Sequence, residues 1–154
     1  MSLNLFAAAA ATALIFATPA LSADLAVTMR LSSSELAKLV AKTTDGLAST
    51  PLALGAKGPL VIAAHRTQSG EAEIHDGLND VFVVHSGQAS VRVGGTVEGQ
   101  RLTAPGEWRG GKITGGQTFE LSSGDVLWIP AGQPHQVIVP TGGDFIYMAF
   151  KSAN

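Results

Sequence analysis

From Pro59 onward, short apolar and β-branched runs alternate with breaks of glycine, proline or polar residues. The runs are Leu60 to Arg66, Ala72 to His75, Asp80 to His85, Ala89 to Val93, Thr118 to Leu121, Val126 to Ile129, Gln136 to Val139 and Phe145 to Lys151. Strands this short, separated by turn residues, predict an antiparallel sandwich or barrel. Ser86-Gly87-Gln88 reads as a tight hairpin connection, and Gly94-Gly95 as a further break. Upstream the period changes. Ser32-Ser33-Ser34-Glu35 has the spacing of a capping box, and Leu36, Leu39 and Val40, with Leu47 beyond them, recur at helical spacing. One short amphipathic helix is predicted there, stopped by Asp45-Gly46, with its apolar stripe packed on the barrel or on a second subunit.

Residues 1–23 contain no charged side chain, and Leu5 to Phe16 is small and apolar apart from Thr12. Pro19 and the small-residue sequence Ala20-Leu21-Ser22-Ala23 follow, as in a secretory signal peptide cleaved after Ser22 or Ala23. The apolar run ends well short of the roughly 20 residues that span a bilayer, so no stable membrane anchor is expected after cleavage. The chain of 154 residues thus divides into a leader (1–23), a helical segment (24–57) and a barrel domain (58–154), with a periplasmic or secreted location. Cysteine is absent, which excludes disulfides and a lipidated cysteine and leaves the core to supply stability. A net charge of −2 without any Lys/Arg cluster provides nothing to neutralise phosphates, so nucleic acid is excluded as an expected partner.

One segment lacks the alternation. Gly94 to Gly116 holds eight glycines together with Pro105, Glu107, Trp108, Arg109 and Lys112. A connection this long is unusual inside a compact domain. It reads either as a surface excursion pinned by Trp108 or as a lid over a pocket, with Trp108 and Arg109 as ligand-binding residues and Arg109 offering a planar fork to a carboxylate.

Candidate chemistry gathers in two places. Glu71, Glu73, Asp76 and Asp80 fall within ten positions, and no Lys or Arg lies between Arg66 and Arg92 to balance them. In an extended strand Glu71, Glu73 and His75 share a face. Carboxylates aimed into a barrel without a counter-charge are costly, and a divalent cation would remove that cost; a metal-free pocket is the alternative. The second place is Gly124 to His135, where an apolar run ends at Pro130-Ala131-Gly132-Gln133-Pro134 and presents His135 just past the turn. The other histidines have weaker claims. His85 is expected at the surface or an interface, and His65 as a hydrogen-bonded structural residue or a pocket wall. Trp128, Phe82, Phe119, Phe145, Tyr147 and Phe150 are expected in the core. There is no thiol nucleophile, no Gly-x-Ser-x-Gly elbow and no phosphate loop.

The segment Gly124, Pro130, Gly132 and His135 resembles the second motif of the cupin family, G-x5-P-x-G-x2-H. The family's first motif, H-x-H followed by three or four residues, a glutamate, six residues and a glycine, aligns with Glu73, His75, Asp80 and Gly87. Here Glu73 stands for the first histidine and Asp80 for the glutamate. The resemblance covers about residues 58 to 151 and implies an all-β fold: a six- to eight-stranded antiparallel barrel of jelly-roll type. It implies Glu73, His75, Asp80 and His135 as ligands of a divalent metal ion (Mn, Fe, Zn or Ni), and a homodimer. Two functions are then open. One is a metal-dependent enzyme acting on a small polar substrate, with Glu71 or an unused carboxylate as general base. The other is a ligand-binding or sensory module without turnover.

Overall fold

The computed structural model describes residues 28–41, 43, 46–52, 54 and 58–154. The leader proposed for residues 1–23 and the helix stop at Asp45 lie outside the described residues. Among the described residues, no helix is long and apolar enough to cross a membrane.

The expected helix is present as α1 (Ser33–Leu39). Ser32 caps it, and the Glu35 carboxylate reaches back to the Ser32 backbone N–H at 2.8 Å, so two otherwise unpaired donors are satisfied reciprocally. Its apolar side is shorter than the spacing suggested, because Leu47 belongs to a strand. Leu36 and Val40 pack with Ala63 and Ile146 on the outer surface of the sheet.

Twelve strands follow among the described residues: β1 (Leu47–Leu52), β2 (Leu60–Arg66), β3 (Ala72–His75), β4 (Leu78–Val93), β5 (Thr96–Val97) and β6 (Arg101–Ala104), then β7 (Glu107–Gly110), β8 (Ile113–Thr114), β9 (Gln117–Ser122), β10 (Val126–Ile129), β11 (His135–Ile138) and β12 (Phe145–Ala153). Ten of them form one antiparallel sheet with the order β1-β2-β12-β4-β11-β3-β7-β6, to which β9 and β10 add along β4. The sheet curls around a single core of Phe82, Val91, Ile129, Phe145, Tyr147 and their neighbours. The all-β jelly-roll class is as the sequence implies, although the sheet holds ten strands where six to eight were expected.

Three local expectations need correction. Ser86-Gly87-Gln88 is no hairpin: β4 runs through it. Its first half pairs with β12 and β10 and its second half with β9 and β11. The pairing with β12 skips His85, a bulge that bends the strand from one half of the barrel into the other. Gly87 sits there at φ 81°, where a Cβ would overlap the Asp144 carbonyl, so the residue must be glycine for steric as well as torsional reasons. Gly94 to Gly116 is not loop either. It folds into β5 to β8, because β6 and β7 form a hairpin that extends the sheet from β3. Trp128 is 54% exposed rather than core, since Leu127 and Ile129 take the inward positions of β10.

Candidate functional site

Strand alternation decides which side chains meet inside the barrel. On β3, Glu73 and His75 share a face, and the antiparallel β7 sets Arg109 opposite Glu73 and Glu107 opposite His75. On β12 the inward series is Phe145, Tyr147, Ala149 and Lys151, and Lys151 pairs in register with Asp80 of β4. Arg66 enters from β2. His135 opens β11 opposite Glu73. The turn before it is fixed by two bonds: the Gly132 N–H donates to the His75 carbonyl at 2.8 Å, and the Ala131 N–H donates to Asn79 Oδ1 at 3.0 Å. Gly132 takes φ 76°, a left-handed conformation that suits glycine. The ring centroids of His75 and His135 therefore end 5.3 Å apart.

Arg66, Glu73, Asp80, Arg109, His135, Tyr147 and Lys151 line one side of a cavity of about 150 Å³, whose other side is apolar (Ile62, Ala64, Phe82, Val137), and His75 is buried beside His135. Each imidazole is tied on its Nδ1 side. His75 Nδ1 lies 2.5 Å from Glu107 Oε2, and His135 Nδ1 lies 3.1 Å from the Gln133 carbonyl. Both partners are acceptors, so both Nδ1 atoms carry the proton. That leaves the two Nε2 atoms unprotonated, as metal-bound histidines are usually held: His135 borders the cavity, and His75 Nε2 meets Lys151 Nζ at 2.7 Å. His135 Nε2 is buried without a hydrogen-bond partner. Glu73, His75 and His135 each bring one donor atom within 4.8 Å of the others, and this cluster can hold a metal ion. The donor types, the spacing and the unpartnered Nε2 fit such an ion.

The expectation that the carboxylates lack counter-charges is overturned. Cations arrive from strands distant in sequence: Arg66 Nη2 lies 3.3 Å and Arg109 Nη1 2.9 Å from Glu73, and Lys151 Nζ lies 2.7 and 2.9 Å from the two oxygens of Asp80. Burial would raise the Glu73 pKa, but the contact with His75 and the charges of Arg109, His135 and Arg66 outweigh it and hold it at about 2. Asp80 is likewise well below the usual carboxylate range, its burial outweighed by the two imidazoles 3.3 Å away and by Lys151. For His75, burial is outweighed by Asp80 and Glu73, which push it up to about 9. Lys151 Nζ also lies 2.7 Å from His75 Nε2. Burial pushes the Tyr147 phenol up, and its oxygen accepts a hydrogen bond from Arg66 Nε at 3.1 Å.

The structure brings Glu73, Asp80, His135 and Arg109 to the cavity and His75 into a cluster with Glu73 and His135. Glu71 and Trp108 lie elsewhere. Glu71 is exposed, ahead of β3, and pairs with Arg101 at 2.8 Å. Trp108 points to the face of β7 opposite Arg109 and donates to Asp76 at 3.0 Å. His65 is a structural residue, joining the Val40 carbonyl at 3.0 Å to the Asp144 carboxylate. Sequence reasoning missed Lys151, Glu107, Arg66 and Tyr147. Alternation within Phe145 to Lys151 was the available signal for Lys151 and Tyr147; nothing local in the sequence pairs Glu107 with His75.

The family model described as AraC-like ligand binding domain matches residues 113–151. No curated protein matches the sequence. Among solved structures, TT1209 from Thermus thermophilus is 17% identical, with 84% of this chain and 98% of that one covered and a TM-score of 0.56. An uncharacterised conserved protein with a double-stranded β-helix domain, from Klebsiella pneumoniae subsp. pneumoniae MGH 78578, is 17% identical over 82% of this chain and 90% of that one, with a TM-score of 0.55. Against peruvianin-I, a cysteine peptidase from Thevetia peruviana latex, identity is 16% over 70% of this chain, the TM-score is 0.49, and the chain spans 62% of that protein's length. The barrel topology and the likeness to the Thermus and Klebsiella proteins show the fold: one small cupin-type double-stranded β-helix barrel among the described residues.

Proposed function

We propose that this protein acts on a small polar molecule bearing an anionic group, at a divalent metal ion held by Glu73, His75 and His135. One observation carries the reading: three donor atoms from these residues lie within 4.8 Å of one another beside the cavity, with both imidazoles oriented from behind. Two imidazoles and one carboxylate are a donor set found at non-haem iron centres, and they also suit Mn, Zn and Ni. When bound, the ion supplies Lewis-acid polarisation of a substrate oxygen.

The protein's own residues define what enters. A cavity of about 150 Å³ takes a molecule of about the size of a six-membered ring, as dry cavities of that volume do. Arg109 Nη1 is buried 2.9 Å from Glu73 without a well-aligned hydrogen bond to it, and the other donors of the planar guanidinium suit a carboxylate or similar anion. Arg66, held by Tyr147, adds a second positive charge on the same side. The apolar wall receives the remainder of the molecule and excludes water. Asp80 is the carboxylate nearest both imidazole Nε2 atoms, at 3.3 Å from each. Cleavage of a leader and export belong to the same proposal.

A second reading is capture of the anion without turnover. It is favoured by the pairing of Glu73 and Asp80 with Arg66, Arg109 and Lys151, which satisfies both carboxylates with no metal, and by the match to a ligand-binding family over residues 113–151. Elemental analysis of untagged protein separates the two. About one equivalent of iron, manganese, zinc or nickel, lost in His75→Ala/His135→Ala, supports the metal centre. A metal-free protein that also takes up no added metal leaves the capture reading.

A further inference from the structure

We propose that the Tyr147 hydroxyl, held by Arg66, is a second anchoring point of the cavity and donates a hydrogen bond to an uncharged oxygen of the ligand, so that the site selects small carboxylates carrying a carbonyl or hydroxyl oxygen over plain carboxylates. The inference rests on the reading of the cavity as an anion site, which the metal and the capture accounts share, and adds the class of ligand.

Tyr147 is 5% exposed and lines the cavity from β12. Its ring packs against Phe82 and Phe145, at centroid distances of 4.9 and 5.0 Å, which fixes the direction of its C–O bond. An arginine N–H can only donate, so the phenol oxygen is the acceptor of the 3.1 Å bond from Arg66 Nε and its own proton goes elsewhere. Among the described residues no acceptor takes that proton. Burial pushes the phenol pKa up, which keeps the proton on the oxygen. Buried donors are ordinarily paired, so an O–H left over beside a cavity marks where a ligand oxygen sits.

Arg66 is committed on its other nitrogens: Nη2 lies 3.3 Å from Glu73 Oε1, and Nη1 packs against Gly70, where a Cβ would come within 2.5 Å of it. Anchored in this way, Arg66 polarises the phenol and makes it a stronger donor. Arg109 stands on the other oxygen of Glu73, Oε2, so a carboxylate at Arg109 and an oxygen at Tyr147 are separate contacts. The ligand must present both.

The test is isothermal titration calorimetry of valerate, its γ-oxo derivative levulinate and its α-oxo derivative against the wild type and Tyr147→Phe, each as purified and after treatment with a chelator. At least one oxo acid is expected to bind the wild type about tenfold or more tightly than valerate, with and without chelation. Tyr147→Phe keeps the ring and is expected to bring that ratio to within about twofold. A merely structural role would weaken all three acids alike and leave the ratio unchanged. Should Tyr147→Phe fail to fold, Arg66→Lys serves instead, with the ratio expected to fall at least about threefold. Equal binding of the three acids by the wild type, or a ratio that survives in the variant, overturns the proposal and leaves the anion reading in place. Binding of none of them overturns both. A ratio that vanishes on chelation assigns the ligand oxygen to a metal and overturns the role of Tyr147.

Discussion

Replacing Glu107 removes the acceptor that fixes the orientation and tautomer of His75. The contact is short, 2.5 Å from Glu107 Oε2 to His75 Nδ1, and the imidazole is 3% exposed, so water is poorly placed to take over. Loss of such an orienting partner behind a metal-binding histidine typically costs about 10–100-fold in affinity, or about 1.4–2.8 kcal/mol. Burial of the ring places Glu107→Ala toward the upper end of that range. Glu107→Gln keeps an acceptor oxygen but loses the charge, and belongs near tenfold. The assay is Zn²⁺ competition with a chelator, accompanied by far-UV circular dichroism to show that the barrel persists. Wild-type affinity in both variants, with folding intact, would refute the argument that Glu107 prepares His75 for a metal.

Three further outcomes are expected. Gly87→Ala places a Cβ at φ 81° against the Asp144 carbonyl, so the bulge in β4 cannot form unstrained; a loss of about 2 kcal/mol or more should appear in thermal unfolding, and an unchanged melting temperature would contradict the fold account. Glu73 sits at about 2 against an ordinary 4.5, a depressed pKa whose stabilisation is present above pH 4.5 and lost as pH falls toward 2. That share is on the order of 3 kcal/mol, read by urea unfolding across the window, with Asp80 adding in the same direction; a flat profile would contradict the buried network. Glu71→Ala should leave metal content and melting temperature unchanged, because Glu71 and Arg101 form an exposed pair; loss of metal in that variant would restore Glu71 to the site.

Much of the barrel was legible because its strands are short and their ends are marked by glycine, proline or polar residues. β2, β3 and β10 begin and end where the apolar runs do. The turn before His135 was legible for the same reason, since its backbone conformation needs Gly132. Errors arose wherever a long-range partner overrode the local signal. Gly87 lies within one bent strand rather than a hairpin because β12 pairs with β4 up to it and β9 pairs with β4 beyond it. The glycine-rich stretch after Gly94 becomes strands because β3 offers an edge for β7 to pair with. The charge balance of the site was hidden for a related reason: Glu73 and Asp80 have no nearby cation in sequence, and Arg109 and Lys151 reach them through strand pairing. Alternation along β12 places Lys151 inward, but its partner emerges only once β12 is laid against β4.

The most direct test of the metal centre is a crystal of the protein grown with Zn²⁺ and measured at the zinc absorption edge. The account predicts one anomalous peak within about 2.0–2.2 Å of a Glu73 oxygen and of His75 and His135 Nε2, with Lys151 Nζ moved off His75 Nε2. No peak at this position, with Lys151 seated between His75 and Asp80 at saturating Zn²⁺, would contradict it.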